Sequence, residues 1–185
     1  MIRIIAGKHK KRKLNAVPGR STRPTSDFNR EMIFSTYQDF EDKRVLDLFA
    51  GTGAFGLEAI SRGAAWVDFV EFASPAIATL ISNIELIGCQ NDCHVYRKKV
   101  QSFIKSANQS YDVIFLDPPY DKNLINPTLQ SLYESGILAD DAVIIAERSR
   151  KEKIDPALAQ YVIKEKEGNT CSFSWLSAKP HDASY

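Results

Sequence analysis

From Arg44 onward the chain alternates between two hydrophobic patterns. Short runs rich in Val, Ile, Leu and aromatic residues predict strands: RVLDLF (44–49), WVDFVE (66–71), HVYR (94–97), YDVIFL (111–116) and AVIIAE (142–147). Between them, segments 54–62, 75–87, 100–107 and 126–135 carry helical patterns, with Ser74 as an N-cap before Pro75 at the first helical position. Parallel strands need long crossovers, so this alternation predicts a parallel sheet covered by helices on both faces, an α/β doubly wound fold.

The two ends depart from that rhythm. YVIKEKE (161–167) and CSFSWLS (171–177), separated by Gly168-Asn169-Thr170, predict a hairpin that finishes the sheet antiparallel. At the front, RIIAG and KLNAV flank a basic cluster and predict a second hairpin, followed by a loop and a helix that begins near Ser26 and carries Phe28, Met32, Tyr37 and Phe40. The expected organisation is a hairpin extension over 1–25, an α/β domain over 26–177 and a mobile tail over 178–185.

Composition narrows the class. The 185 residues are 44% hydrophobic and 25% charged, the makeup of one globular domain. No apolar run approaches the roughly 20 residues of a membrane span, and the N-terminus lacks a signal-peptide core, so a cytoplasmic location with no membrane partner is expected. Cys89, Cys93 and Cys171 make an odd count without a C-x-x-C, which fits reduced thiols. Cys89, Cys93 and His94 have no second ligand pair beside them, so no metal is expected.

The net charge of +1 conceals an asymmetry. Residues 1–30 hold nine basic side chains (Arg3, Lys8, Lys10, Lys11, Arg12, Lys13, Arg20, Arg23 and Arg30) against the single acid Asp27, and the remainder holds 15 basic against 22 acidic. A basic arm on an acidic body predicts a polyanionic partner held by the arm.

Two motifs carry chemistry. In DLFAGTGAFGLEA, Gly51-x-Gly53-x-x-Gly56 follows a strand and opens a helix, and Glu71 ends the next strand. That spacing is shared by dinucleotide sites, with the acidic residue accepting from ribose hydroxyls. Asp47, four residues before Gly51, would repel a pyrophosphate at the helix N-terminus and favour a sulfonium or ammonium. S-adenosylmethionine is therefore preferred over NAD.

The second motif, Asp117-Pro118-Pro119-Tyr120, ends a buried strand. Neither proline offers an N–H, and each fixes the residue before it, so the Asp117 carboxylate and the Pro118 carbonyl form two fixed acceptors. An exocyclic NH2 presents two donors. Held there, its lone pair is directed to a methyl donor by orientation and electrostatics, while Tyr120 stacks the base.

RIIAGKHKKRKL, RPTSDFNREMIF, VLDLFAGTGAFGLEAISRGA, VEFASPA, VIFLDPPY and EKEGNTCSFSWL occur in an order and spacing that resemble the RsmD family of bacterial methyltransferases along almost the whole chain. The resemblance implies a class I S-adenosylmethionine-dependent methyltransferase with a Rossmann-like sheet. It also implies N2-methylation of a guanine in 16S ribosomal RNA within the small subunit or its assembly intermediate, by a chain acting as a monomer. Asp47, Phe49, Gly51 and Gly53 would surround the methionine portion, with Ala50 and Thr52 in the same loop, Glu71 on the ribose and Phe72 beside it; Asp117 to Tyr120 would hold the amine. Arg23, Pro24 and Thr25 would form a lip over the site. Phe28 stands where a basic residue is usual. Lys99 stands where an Asp or Asn usually accepts from the adenine amino group, so the Val100 backbone or the Gln101 amide is expected to replace it. The DPPY and glycine motifs are shared with N6-adenine and other N-methyltransferases, which remain alternatives, as does an NAD-dependent oxidoreductase.

Overall fold

Three strands of the chain are apolar on both faces, which only a sheet covered on both sides can accommodate. In a computed structural model, which describes residues 2–19, 27–120 and 122–181, these are β3 (Arg44–Leu48), β4 (Trp66–Glu71) and β6 (Tyr111–Leu116). With β5 (Cys93–Arg97) and β7 (Leu138–Ser149) they form a parallel array in the order β5-β4-β3-β6-β7. The C-terminal hairpin of β8 (Val162–Glu167) and β9 (Cys171–Ser177) adds at the β7 edge with β9 antiparallel to both neighbours, as its sequence predicts. β7 is longer than AVIIAE implies because it continues alongside β9 as far as Ser149.

Helices α1 (Asp27–Thr36), α2 (Ala54–Ser61), α3 (Ser74–Ile87), α4 (Val100–Ser106) and α5 (Ile125–Ser135) complete the α/β alternation. One core joins α1, α2 and α3 to the sheet, and the other joins α4 and α5. Within the first, Phe55 of α2 stacks on Phe115 of β6 with ring centroids 3.9 Å apart, and Phe34 of α1 stacks on Phe55 at 5.0 Å. Thus α1 packs through Ile33 and Phe34, whereas Phe28 is exposed and Tyr37 and Phe40 lie beyond the helix end. The face expected from Phe28, Met32, Tyr37 and Phe40 is therefore rotated. The β3-to-β6 neighbourhood is where the strand order reverses, the place at whose carboxyl ends open α/β sheets bind their ligands.

The N-terminal hairpin is a pair of two-residue strands, β1 (Ile2–Arg3) and β2 (Lys13–Leu14). It is docked rather than free. The Ile5 and Ala6 amides donate to the buried Glu58 carboxylate of α2 at 2.6 and 2.9 Å, and Arg62 Nε donates to the same group at 2.8 Å. Gly7, at φ +78°, lies so close that a Cβ there would stand 1.7 Å from the Ser61 carbonyl oxygen, which only glycine allows. Ile4, Leu14 and Val17 are buried. Deleting residues 1–20 would consequently strip Glu58 of two donors and uncover core, so it does not isolate the arm's charge. Glu58→Ala should lower stability by about 1.5–3 kcal/mol through loss of charge-assisted hydrogen bonds. A urea midpoint equal to the parent's would contradict this docking.

Residues 178–181, expected in the mobile tail, are tied down: the Ala178 amide donates to the Ala142 carbonyl and the His181 amide to the Gln160 carbonyl, each at 2.9 Å. Arg20, Arg23, Pro24, Thr25, the Ser26 helix start and residues 182–185 lie outside the described residues.

Candidate active site

Each of four parallel strands ends in a carboxylate: Asp47 on β3, Glu71 on β4, Asp117 directly after β6 and Glu147 on β7. Since Asp47 pairs with Phe115, Asp117 lies one step beyond the end of the β3–β6 ladder, on the strand beside Asp47. The glycine loop between β3 and α2 bends through three left-handed residues, Phe49 (φ 61°), Gly51 (56°) and Gly53 (77°). A bulky residue in that region is strained by about 1–3 kcal/mol, a departure that clusters at functional sites. Gly56 is needed for packing: a Cβ there would stand 2.3 Å from the Phe69 ring.

Asp47 substitutes for a conventional cap on α2. Gly53 at the cap position has no side chain, and the Gly56 amide donates instead to Asp47 Oδ2 at 3.0 Å. Burial raises the Asp47 carboxyl to about 8, against the lowering effect of that amide and with a further upward push from Glu71. Glu71 is similarly committed to backbone. Its Oε1 accepts from the Phe72 and Ala73 amides at 2.8 and 2.9 Å, and its Oε2 from the Gly51 amide at 3.0 Å. Those bonds explain why α3 starts behind Ala73 rather than a Ser74 cap. They leave Oε2 one lone pair for an outside donor. Phe72, 60% exposed, stands beside it.

At the other lip, no hydrogen bond from the described residues ends on the half-buried Asp117 carboxylate or the Pro118 carbonyl. Desolvation, followed by the charges of Glu147 and Asp47, pushes the Asp117 carboxyl well above the usual range. Tyr120 is half-buried, and its hydroxyl donates to Glu147 Oε1 at 2.7 Å. Two carboxylates whose ionisation is disfavoured by burial, Asp47 and Asp117, thus end neighbouring strands. A cationic ligand relieves that penalty and a pyrophosphate aggravates it.

The structure redistributes several predicted residues. Ala50 and Thr52 lie in the glycine loop, and Thr52 offers its carbonyl to Asn83 Nδ2 at 2.9 Å. Val100 is buried at the start of α4 and Lys99 precedes it, exposed. Gln101 reaches α5, where its Oε1 accepts from Ser131 Oγ at 2.8 Å, which leaves one lone pair on that oxygen. Arg3, Lys8, Lys10, Lys11, Arg12 and Lys13 are exposed on the docked hairpin. Arg30 is not on that surface; it is 4% exposed, and its Nη1 donates to the Arg3 carbonyl at 2.7 Å. Cys89 and Cys93 are buried, the Cys93 thiol lying 3.3 Å from the Cys89 carbonyl.

Two residues were missed by the sequence reading. Asn83, fully buried in α3, donates to the Thr52 and Asn15 carbonyls and accepts from the Asn15 amide, joining the glycine loop to the hairpin. Its signal was a lone amide within an apolar helical run. Glu147 ends AVIIAE as Glu71 ends WVDFVE, and that parallel was available.

The model of the family described as "Conserved hypothetical protein 95" matches residues 2–175. The "Ribosomal RNA small subunit methyltransferase D" of Escherichia coli strain K12 is 36% identical over 147 residues, 79% of this chain and 74% of that protein. The chain belongs to the RsmD family. Another relative, the "Putative rRNA methyltransferase YlbH" of Bacillus subtilis strain 168, is 36% identical over 170 residues, 90% of this chain and 92% of that protein. Among solved structures, "Putative methyltransferase yhhF from Escherichia coli" superposes with a TM-score of 0.84 at 32% identity, covering 97% of this chain and 99% of that one. The class I methyltransferase fold expected from sequence is the observed one.

Proposed function

We propose that this protein is an rRNA methyltransferase that transfers a methyl group from S-adenosylmethionine to the exocyclic N2 of a guanine in the RNA of the small ribosomal subunit. The observation that carries the reading is the pair Asp47 and Asp117, which end adjacent strands at the switch point and give a cation site and an amine site side by side. Family membership supports methyl transfer and removes the support for an oxidoreductase. When bound, the cofactor supplies an electrophilic methyl on a sulfonium. Asp47 would lie on its methionine portion and the free lone pair of Glu71 Oε2 on a ribose hydroxyl. The Asp117 carboxylate and Pro118 carbonyl take the two amine N–H bonds, which leaves the nitrogen lone pair directed across the β3–β6 boundary. Tyr120 stacks the base.

Incubation with methyl-labelled S-adenosylmethionine and small subunits lacking the modification, followed by mapping of the labelled base, tests this reading. Label on a guanine N2 is expected. Label on an adenine N6 would establish the alternative amine, and no label in RNA would overturn the proposal.

The exposed hairpin is the RNA-docking surface in this reading. Helix α1 touches both the hairpin, through Arg30 and the Arg3 carbonyl, and the floor of the site, through Asn29 Nδ2 on Cys171 Sγ at 3.2 Å. Replacing Lys8, Lys10, Arg12 and Lys13 together by Ala removes charge while keeping the buried contacts. The logarithmic salt dependence of subunit binding should flatten by about 3, at about 0.7–0.9 per lost phosphate contact. Melting temperature and cofactor affinity should hold. An unchanged salt slope would reduce the hairpin to a solvated charge cluster.

A further inference from the structure

Beneath the DPPY tyrosine lies a polar cluster that the proposed chemistry does not use. Glu147 is 3% exposed on β7, and its Oε1 accepts from the Tyr120 hydroxyl at 2.7 Å. The fully buried Cys171 of β9 sits within hydrogen-bonding reach of both Glu147 and Tyr120, and its Sγ accepts from Asn29 Nδ2 of α1 at 3.2 Å. Burial raises the Cys171 thiol to about 12, so it stays protonated and remains a donor. Burying a carboxylate beside Asp117 is unfavourable in itself, since its charge opposes the ionisation of Asp117. A structure that needed only a filled core would place an apolar residue there.

We propose that Glu147 is a positioning residue: by holding the Tyr120 hydroxyl it fixes the plane of the Tyr120 ring against which the target base stacks, and so sets the base's amine onto Asp117 and Pro118. Tyr120 follows two prolines whose own backbone torsions are restricted, but its side-chain torsions remain free to turn. The side chain packs against the core formed with α1, α2 and α3, and its hydroxyl is held by Glu147. Anchoring the hydroxyl fixes the long axis of the ring, and because a phenolic O–H is conjugated with the ring and prefers to lie in its plane, the position of the acceptor also restrains rotation about that axis. Misplacing a reacting amine by about 1 Å is sufficient to slow transfer by about a hundredfold.

The inference rests on the methyl-transfer reading, and the experiment separates the two. If the parent protein fails to methylate small subunits, the functional reading falls first. If the parent is active, Glu147→Ala should lower kcat by about tenfold to a hundredfold, with KM for S-adenosylmethionine within about twofold of the parent, because β3 and β4 are untouched. Glu147→Gln keeps an acceptor at the same position and should recover most of the lost rate. Tyr120→Phe should match Glu147→Ala, and the double variant should be no worse than either single one, since both remove the same hydrogen bond. Nitration of Tyr120 by tetranitromethane, mapped by mass spectrometry, should be slow in the parent and in Glu147→Gln and several-fold faster in Glu147→Ala. Additive losses in the double variant, or a Gln variant that folds yet is as slow as Ala, would overturn the proposal. Should Glu147→Ala fail to fold, Tyr120→Phe and Glu147→Gln still decide: full activity in the Phe variant ends it.

Discussion

Asp117→Ala should bind S-adenosylmethionine as tightly as the parent and lose methyl transfer by about a hundredfold or more, the loss typical of removing one preorganised partner of the transition state. The expectation follows from which contacts the carboxylate lacks. No hydrogen bond from the described residues ends on it, so its removal leaves the glycine loop, the Glu71 bonds and the α2 cap intact. Its neighbours also shape the pH profile. Desolvation and the charges of Glu147 and Asp47 raise its carboxyl, and the ionised form is the one that accepts both as a charge and as a hydrogen-bond partner. The transfer rate should therefore climb as pH rises through that raised range. Asp117→Asn keeps a carbonyl acceptor without a titrating group, so it should keep more activity than Ala and lose that limb of the profile. An Ala variant with parental turnover would show that the amine is held elsewhere. Loss of cofactor binding would place Asp117 on the wrong ligand.

The element order was legible because the parallel strands and their crossover helices announce themselves locally: fully apolar runs such as YDVIFL have no other stable home than a covered sheet. The same locality made Asp47, Glu71 and DPPY readable, since each ends a predicted strand. What escaped depends on tertiary contacts. Nothing near Glu58 says that its carboxylate caps two amides 52 and 53 residues away, so the hairpin looks like a free arm. Arg30 was grouped with the exposed basic residues by charge alone, although the hydrophobic stripe of α1, once centred on Ile33 and Phe34, turns it inward. That Gln101 also reaches Ser131 of α5 from the first turn of α4 is a contact its sequence neighbourhood did not announce.

The four strand-end carboxylates divide by what they hold. Glu71 spends three of its four lone-pair positions on backbone and thereby fixes where α3 begins. Glu147 holds a hydroxyl, and among the described residues no hydrogen bond ends on the Asp117 carboxylate. Asp47 is intermediate, with one oxygen on the Gly56 amide and the burden of near-complete burial. Its ionisation is disfavoured by that burial, and a cation would reverse the effect directly.

Asp47→Asn should stabilise the ligand-free protein while weakening S-adenosylmethionine binding by about tenfold to a hundredfold, the worth of a charge-assisted contact of about 1.5–3 kcal/mol. A folded-state carboxyl raised to about 8, above its ordinary value of 3.8, contributes stability that is fully present below the ordinary value and is lost as pH rises through the raised one. Parent and variant should thus melt together in acid and diverge between pH 4 and 8 by about 2–4 °C for each kcal/mol regained, with the Asn variant higher. The variant keeps an Oδ1 acceptor for the Gly56 amide, so the α2 cap survives. Binding supplies the opposite sign. A bound ammonium or sulfonium favours the carboxylate, so at pH 7 the parent should release up to one proton on taking up the cofactor and the Asn variant none. Calorimetry in two buffers of different ionisation enthalpy reads that proton directly, below the range of about 7.7–8.0 in which an α-amino group itself titrates. Equal melting temperatures across the series together with no proton release would show that Asp47 is ionised without help and faces no cation.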